Sequence, residues 1–251
     1  MPLNHGQRHH CGREVTDTEI ENAVSNSQRV IENPTGQTQP GPRWPYRNEG
    51  RIESVVRDGP TFAQLADSSP FKWNDDARHT EEIIDVLFPG NPLLCAGPKQ
   101  SFSVTRTREE WRGFLERQQF IVPSPMASVF GTTQEGKTSM RTLSNTGPRR
   151  FLVVEFDTGT FDQHAAVLGH LAKYEPLVMV VHSGNKSLHG WFYTAGKPDE
   201  TVEKFFRYAV SLGADPATWT PCQLVRMPDG QRENGRLQRV VYFNPKEISL
   251  Q

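Results

Sequence analysis

The sharpest alternation of apolar and polar positions lies in the C-terminal half. Phe151-Leu152-Val153-Val154-Glu155-Phe156 is an apolar run that predicts a buried strand with a carboxylate at its end, and Phe161 to Lys173 carries the helical period through Phe161, Ala165, Leu168 and Leu171. Leu177-Val178-Met179-Val180-Val181 predicts a second buried strand, closed by the turn residues His182-Ser183-Gly184-Asn185. Ser187 to Thr194 alternates as a third strand hairpinned to the second. Thr201 to Leu212 is a helix with Val202, Phe205, Phe206 and Ala209 inward, and Gln223 to Arg226 and Arg239 to Phe243 are short strands flanking a loop.

Strand, helix, strand, strand, helix, strand is the order of an α+β chain with the split βαβ arrangement of RRM-like and ferredoxin-like folds. The three main strands are then expected in one mainly antiparallel sheet backed by the helices near Phe161 and Thr201. Upstream the pattern weakens. Thr16 followed by Glu19 forms a capping-box signal, and Ile20, Ala23, Val24 and Ile31 fall near helical spacing. Asn33 to Asn48 carries Pro34, Gly36, Pro40, Gly41, Pro42 and Pro45, a linker in which Trp44 and Tyr46 are candidate docking anchors. Short helices are expected over Ile52 to Ala66, interrupted at Gly59-Pro60, over Thr80 to Phe88, and over Arg108 to Gln119 with Trp111, Phe114 and Leu115 on one face. Leu93-Leu94-Cys95 is a short apolar segment, and Gly131 to Gly147 reads as a loop. The expected organisation is a flexible region over 1–48, a helical subdomain over 49–120 and a core over 121–251.

Composition narrows the function classes. The chain has 251 residues, a formal charge of −1 and 35% hydrophobic residues, so any basic surface has to be local rather than global. Its Cys count of 3, at Cys11, Cys95 and Cys222, suits neither a disulfide framework nor a four-cysteine zinc site, which points to a reducing cytoplasm. No run reaches the roughly 18 to 20 apolar residues of a membrane span. His5, His9, His10 and Cys11 sit in a patternless start, where adjacent side chains do not converge easily on one ion.

The residues that carry chemistry cluster in the same half as the strong pattern. Glu155 and Asp157 stand two apart at a strand end, a spacing that puts both on one face; they either hold a divalent cation or form a solvated strand end. Lys186, Ser187 and His189 share one edge of a tight hairpin, which suits phosphate oxygens. Arg226 is placed to offset phosphate charge, and Arg232, Arg236 and Arg239 form a basic loop suited to a nucleic-acid backbone. Arg149 and Arg150, with Lys137 and Arg141, precede the first strand and are candidates for the other wall of the same groove. Trp191 and Phe192 alternate, so one is expected in the core and the other available to stack on a base.

Taken in order, Glu155-Phe156-Asp157, Ser187-Leu188-His189, Asp215 and Arg226-Met227-Pro228 resemble the motifs of the archaeo-eukaryotic primase (AEP) superfamily. The flavour is that of bacterial, phage and plasmid primase-polymerases, in which a stretch like Ser183-Gly184-Asn185-Lys186-Ser187-Leu188-His189 recurs, and the likeness runs from about Arg150 to Pro245. The resemblance implies template-directed nucleotidyl transfer on DNA from nucleoside triphosphates. It implies Mg2+ or Mn2+ on Glu155, Asp157 and a third acid, Asp215 or alternatively Asp229, with Ser187 and His189 on the triphosphate. One departure is Glu155, where the family usually has Asp. The chain has no Gly-x-x-x-x-Gly-Lys-Ser/Thr loop, so the resemblance implies a separate replicative helicase as partner. Two other functions compete: a replication accessory that grips nucleotide without synthesis, and a rolling-circle nickase. The nickase needs a pair of histidines around an apolar residue, and His189 is followed by Gly190-Trp191.

Overall fold

The structure is a computed structural model that describes residues 43–248 and the backbone of Ile31–Glu32 and Thr38–Gln39. The chain divides into two compact units, Met1–Arg43 and Trp44–Gln251. In the first, β1 (Ile31–Glu32) pairs antiparallel with β2 (Thr38–Gln39), so Ile31 stands in a strand rather than at a helix end. The rest of the helix expected from Thr16, and the histidine-rich start, lie outside the described residues.

The second unit is a mixed α/β structure with antiparallel sheets. Along the chain it forms α1 (Glu49–Asp58), α2 (Phe62–Asp67), α3 (Thr80–Leu87), β3 (Leu93–Lys99), β4 (Phe102–Thr107), the one-turn α4 (Arg108–Trp111) and β5 (Phe120–Ile121). A small ladder of β6 (Gly131–Thr132) and β7 (Thr138–Ser139) follows, then β8 (Phe151–Val154), α5 (Phe161–Leu171), β9 (Leu177–His182) and β10 (Leu188–Tyr193). The chain closes with α6 (Asp199–Ser211), β11 (Val225–Arg226) and β12 (Val240–Phe243).

One sheet has the order β12-β9-β10-β8 and carries the strands expected from the apolar runs. β10 lies between β8 and β9 and is antiparallel to both, and α5 crosses from one to the other. A ferredoxin-like order would set the last strand beside β8. Instead β12 pairs with β9 at the opposite edge, because the short 3-10 turn Pro216–Trp219 packs along β8 and Asp215 N–H donates to the Glu155 carbonyl at 2.9 Å.

β11, expected in that sheet, belongs to a second one with the order β11-β5-β3-β4. This sheet replaces much of the expected helical subdomain. Its β3–β4 hairpin needs a residue without a side chain at Gly97, where a Cβ would lie 2.1 Å from the Phe102 carbonyl oxygen. The helix expected over Arg108 to Gln119 ends at Trp111, since Gly113 takes φ +77° and the chain tightens into a 3-10 turn at Leu115–Arg117 before β5. The division expected at residue 121 therefore falls inside a central strand.

Both faces of the first sheet are covered. Leu152, Val154, Val180 and Phe192 pack with Ile52 of α1, Leu168 of α5 and Phe205 and Phe206 of α6. Phe151, Val153, Val181, Trp191 and Phe243 pack with Leu94 and Ile121 of the second sheet and with Ile83 and Leu87 of α3. Trp191 and Phe192 are both fully buried, so neither presents a ring to a base. Trp44 packs edge-on against Phe206 and Trp219 with centroids 5.1 and 5.6 Å away, and the Asn48 N–H reaches the Ser211 carbonyl, so the expected linker is already part of the core at Trp44. Tyr46, the other candidate anchor, is 96% exposed.

Helix α5 presses on β10 at Gly190, where a Cβ would lie 2.4 Å from Leu168 Cδ2. Gly190→Ala should lower stability by about 1–3 kcal/mol through overpacking, read as a lower guanidinium midpoint at unchanged slope. An unchanged midpoint would contradict this packing.

Candidate functional site

Past the end of β8, Glu155 continues the parity of Phe151 and Val153 and so turns toward the second sheet. His189 shares the parity of Trp191 on β10 and faces the same way, 4% exposed. The imidazole Nδ1 stands 2.9 Å from Glu155 Oε2, and Nε2 stands 3.2 Å from Ser187 Oγ. Ser187 in turn donates through its hydroxyl and its N–H to Ser183 Oγ, both at 3.2 Å. The hairpin that presents these groups is pinned by a Ser183 N–H to Ser187 carbonyl bond and by Gly184 at φ +73°. Burial pushes the Glu155 carboxyl upward, but the His189 contact and charge, with Arg226 beyond, hold it below its ordinary range.

Asp215 approaches from the loop after α6. Its Oδ1 accepts from the Ala217 N–H at 2.9 Å, while burial and then the charges of Asp157 and Glu155 raise its carboxyl above the ordinary range. β8 ends at Val154, so Asp157 stands in the following exposed loop rather than on the strand. Across from the acids, β11 carries Arg226. Its guanidinium lies over the Phe120 ring, 4.6 Å from the centroid, and burial and the Arg232 charge lower its pKa to about 10. These groups line one cleft of about 380 Å3 whose walls come from both sheets; Glu155, Asp157 and Asp215 lie in it with Lys186, Ser187, His189, Arg226 and Arg232.

Other expected residues are placed elsewhere. Arg149 donates to the Trp219 carbonyl at 2.7 Å and stacks over that ring, and Arg150 donates to the Leu87 carbonyl at 2.6 Å beside Phe151 and Tyr193. Both are committed to packing, and neither lines the cleft. Arg239 is turned to the backbone carbonyls of Asp76 and Ala77, whereas Arg236 stays exposed at the rim, 3.5 Å from Asn185 Oδ1. Asp229 is the weaker candidate for a third acid in the cleft. It is buried at φ +51°, and its carboxylate accepts from the N–H groups of Val240 at 2.9 Å and His79 at 3.2 Å. Gln119, Phe120, Ser183 and Gln238 around the cleft were not singled out by the sequence; only the turn signal at Ser183-Gly184 marked one of them.

No family model matches the sequence, and no curated protein matches it. Among solved structures the chain is similar to the AEP domain of the cyanophage S-2L primase-polymerase (PrimPol), at 12% identity and a TM-score of 0.45, over 67% of this chain and 93% of that one.

The donor set of the cleft is carboxylate oxygen, which suits a hard divalent cation. Among the described residues no group of three His, Cys, Asp or Glu side chains stands ready to hold a metal ion. Glu155 is engaged by His189, and the mutual repulsion expressed at Asp215 is the charge a cation would offset. Among the described residues, no helix is long and apolar enough to cross a membrane.

The raised Asp215 carboxyl has a signed consequence. The folded state holds this proton more tightly than the unfolded chain, so stability falls as pH rises from the ordinary value of 3.8 through the raised one. Asp215→Asn should therefore raise the melting temperature of divalent-free protein near pH ~7, with the gain shrinking as pH falls toward ~4. A lower melting temperature for the variant near pH ~7 would contradict a carboxyl raised by burial and its acidic neighbours.

Proposed function

We propose that the protein is a template-directed nucleotidyltransferase of the primase-polymerase kind, joining nucleoside triphosphates on a DNA template. The observation that carries this reading is the meeting of both charges in one cleft, lined by Glu155, Asp157 and Asp215 together with Lys186, Arg226 and Arg232. A triphosphate needs cations along its oxygens, and the reacting end of a growing strand needs a concentration of carboxylates where a divalent ion can sit. In the reaction the primer 3'-oxygen forms a bond to the α-phosphorus as the bond to pyrophosphate breaks, and the hydroxyl proton is lost.

On this reading Glu155, Asp157 and Asp215 would hold Mg2+ or Mn2+, which when bound lowers the barrier by neutralising the attacking and leaving oxygens. Glu155 must then exchange its contact with His189. Ser187 Oγ and His189 Nε2 form a polar edge for the triphosphate, and Lys186 and Arg226 offset its charge. Arg232 and Arg236, on the loop beside the hairpin, follow the template backbone. The contest with a replication accessory that binds without synthesis is decided by chemistry rather than by affinity.

Asp157→Asn keeps size and removes the charge, so nucleotide incorporation at saturating substrate should fall by on the order of a hundredfold. Template affinity, read by fluorescence anisotropy, should stay within about twofold because it depends on arginine and lysine against phosphate. His189→Ala should instead be partly restored by raising nucleotide concentration. Equal incorporation by wild type and Asp157→Asn would reduce Asp157 to a solvated loop carboxylate.

A further inference from the structure

Arg226 is held in place by two glutamines that belong to no motif. Its NH1 donates to Gln119 Oε1 at 2.7 Å and to Gln238 Oε1 at 3.4 Å, while the Phe120 ring lies beneath the guanidinium. Among the described residues its Nε and NH2 make no hydrogen bond, which leaves the forked edge that matches a phosphate facing the cleft.

Gln238 has no exposure to solvent. Both hydrogens of its amide are used, on the Gln119 and Met227 carbonyls at 3.0 Å each, so the side chain joins β5 to the segment after β11. Its backbone closes the foot of the arginine loop, with its N–H donating to the Gly230 carbonyl at 2.8 Å and its carbonyl accepting from Asp229 N–H at 2.9 Å. Gly230 permits this contact, since a Cβ there would lie 2.9 Å from Gln238 Nε2 and 2.6 Å from the Gln118 carbonyl oxygen. The tip of the same loop carries Arg232, whose NH1 donates to the Ser183 carbonyl at 3.1 Å. A buried amide is costly unless satisfied, and here the partners that satisfy it are the backbone of the cleft wall and the cleft's own guanidinium.

We infer, resting on the nucleotidyl-transfer reading, that Gln238 is a positioning residue: together with Gln119 it aims the open edge of Arg226 at the incoming triphosphate and keeps the arginine loop in register with it. Removing either amide frees the guanidinium to swing, which weakens the ground-state grip on nucleotide more than the chemical step.

The test is a double-mutant cycle on wild type, Gln238→Met, Arg226→Ala and the double variant, with binding of fluorescently labelled ATP and dATP measured beside template and Mg2+. Gln238→Met should weaken nucleotide binding about tenfold and raise KM with kcat nearly unchanged. The double variant should bind no more weakly than Arg226→Ala alone. Where Gln238→Met fails to fold, by circular dichroism, the same cycle is run at Gln119. Gln119→Met should lose about tenfold in affinity, whereas Gln119→Glu, which keeps the acceptor, stays within about threefold of wild type. Additive losses, or Gln119→Glu as weak as Gln119→Met, would overturn the positioning role while leaving nucleotidyl transfer intact. A wild-type protein that binds neither nucleotide would overturn the functional reading, and the positioning role with it.

Discussion

A sheet that is apolar on both faces has to be covered on both, and the rest of this molecule follows from that requirement. Phe151 and Val153 point one way from β8, Leu152 and Val154 the other, and all four are buried. Helices α1, α5 and α6 cover one face. The second sheet, with α3, covers the other through Leu94, Ile121 and Val225. Where the apolar residues give way to polar ones, residues of both sheets line the cleft. Glu155 and His189 are the first polar residues beyond the shared core on their strands, so the same alternation that builds the core delivers them to its open end.

Charge then decides what such a cleft can hold. His189, 4% exposed, sits between the Glu155 carboxylate and the Ser187 hydroxyl. Among the described residues neither Asp157 nor Asp215 forms an ion pair, and burial, followed by the charges of Asp157 and Glu155, raises the Asp215 carboxyl. Across from them, on the second sheet, Arg226 is hydrogen-bonded among the described residues through one nitrogen alone. Fixed charges of both signs in a partly desolvated space act on an entering charged group with little reorganisation.

The chain announces the acids and the hairpin more clearly than their setting. Unbroken apolar runs at Phe151–Val154 and Leu177–His182 have few alternatives to a buried strand, and Ser183-Gly184-Asn185 has few alternatives to a turn. The second sheet is hidden because β4 is Phe102-Ser103-Val104-Thr105-Arg106-Thr107, an edge strand whose polar residues find partners far along the chain, as Thr105 Oγ1 does in the Met140 carbonyl. Arg149 and Arg150 read as nucleic-acid contacts because sequence gives their charge, whereas Trp219 and Tyr193, two of the rings around them, come from distant segments. Asp229 follows Arg226-Met227-Pro228 and resembles a ligand in one dimension, yet a left-handed backbone turns its carboxylate onto two amides. Gln119 and Gln238 carry no signal at all, since a buried amide is defined by partners 119 residues away.

If the proposed function holds, this cleft joins nucleotides and does not merely hold them. The most direct measurement is incorporation of labelled nucleotides by the wild-type protein on a single-stranded DNA template, with and without primer, in Mg2+ and in Mn2+. Template-directed synthesis should give products that lengthen with the template and disappear when the divalent ion is chelated. Protein that binds template and nucleotide but yields no product with either ion, primed or unprimed, would contradict it and leave a binding module in its place.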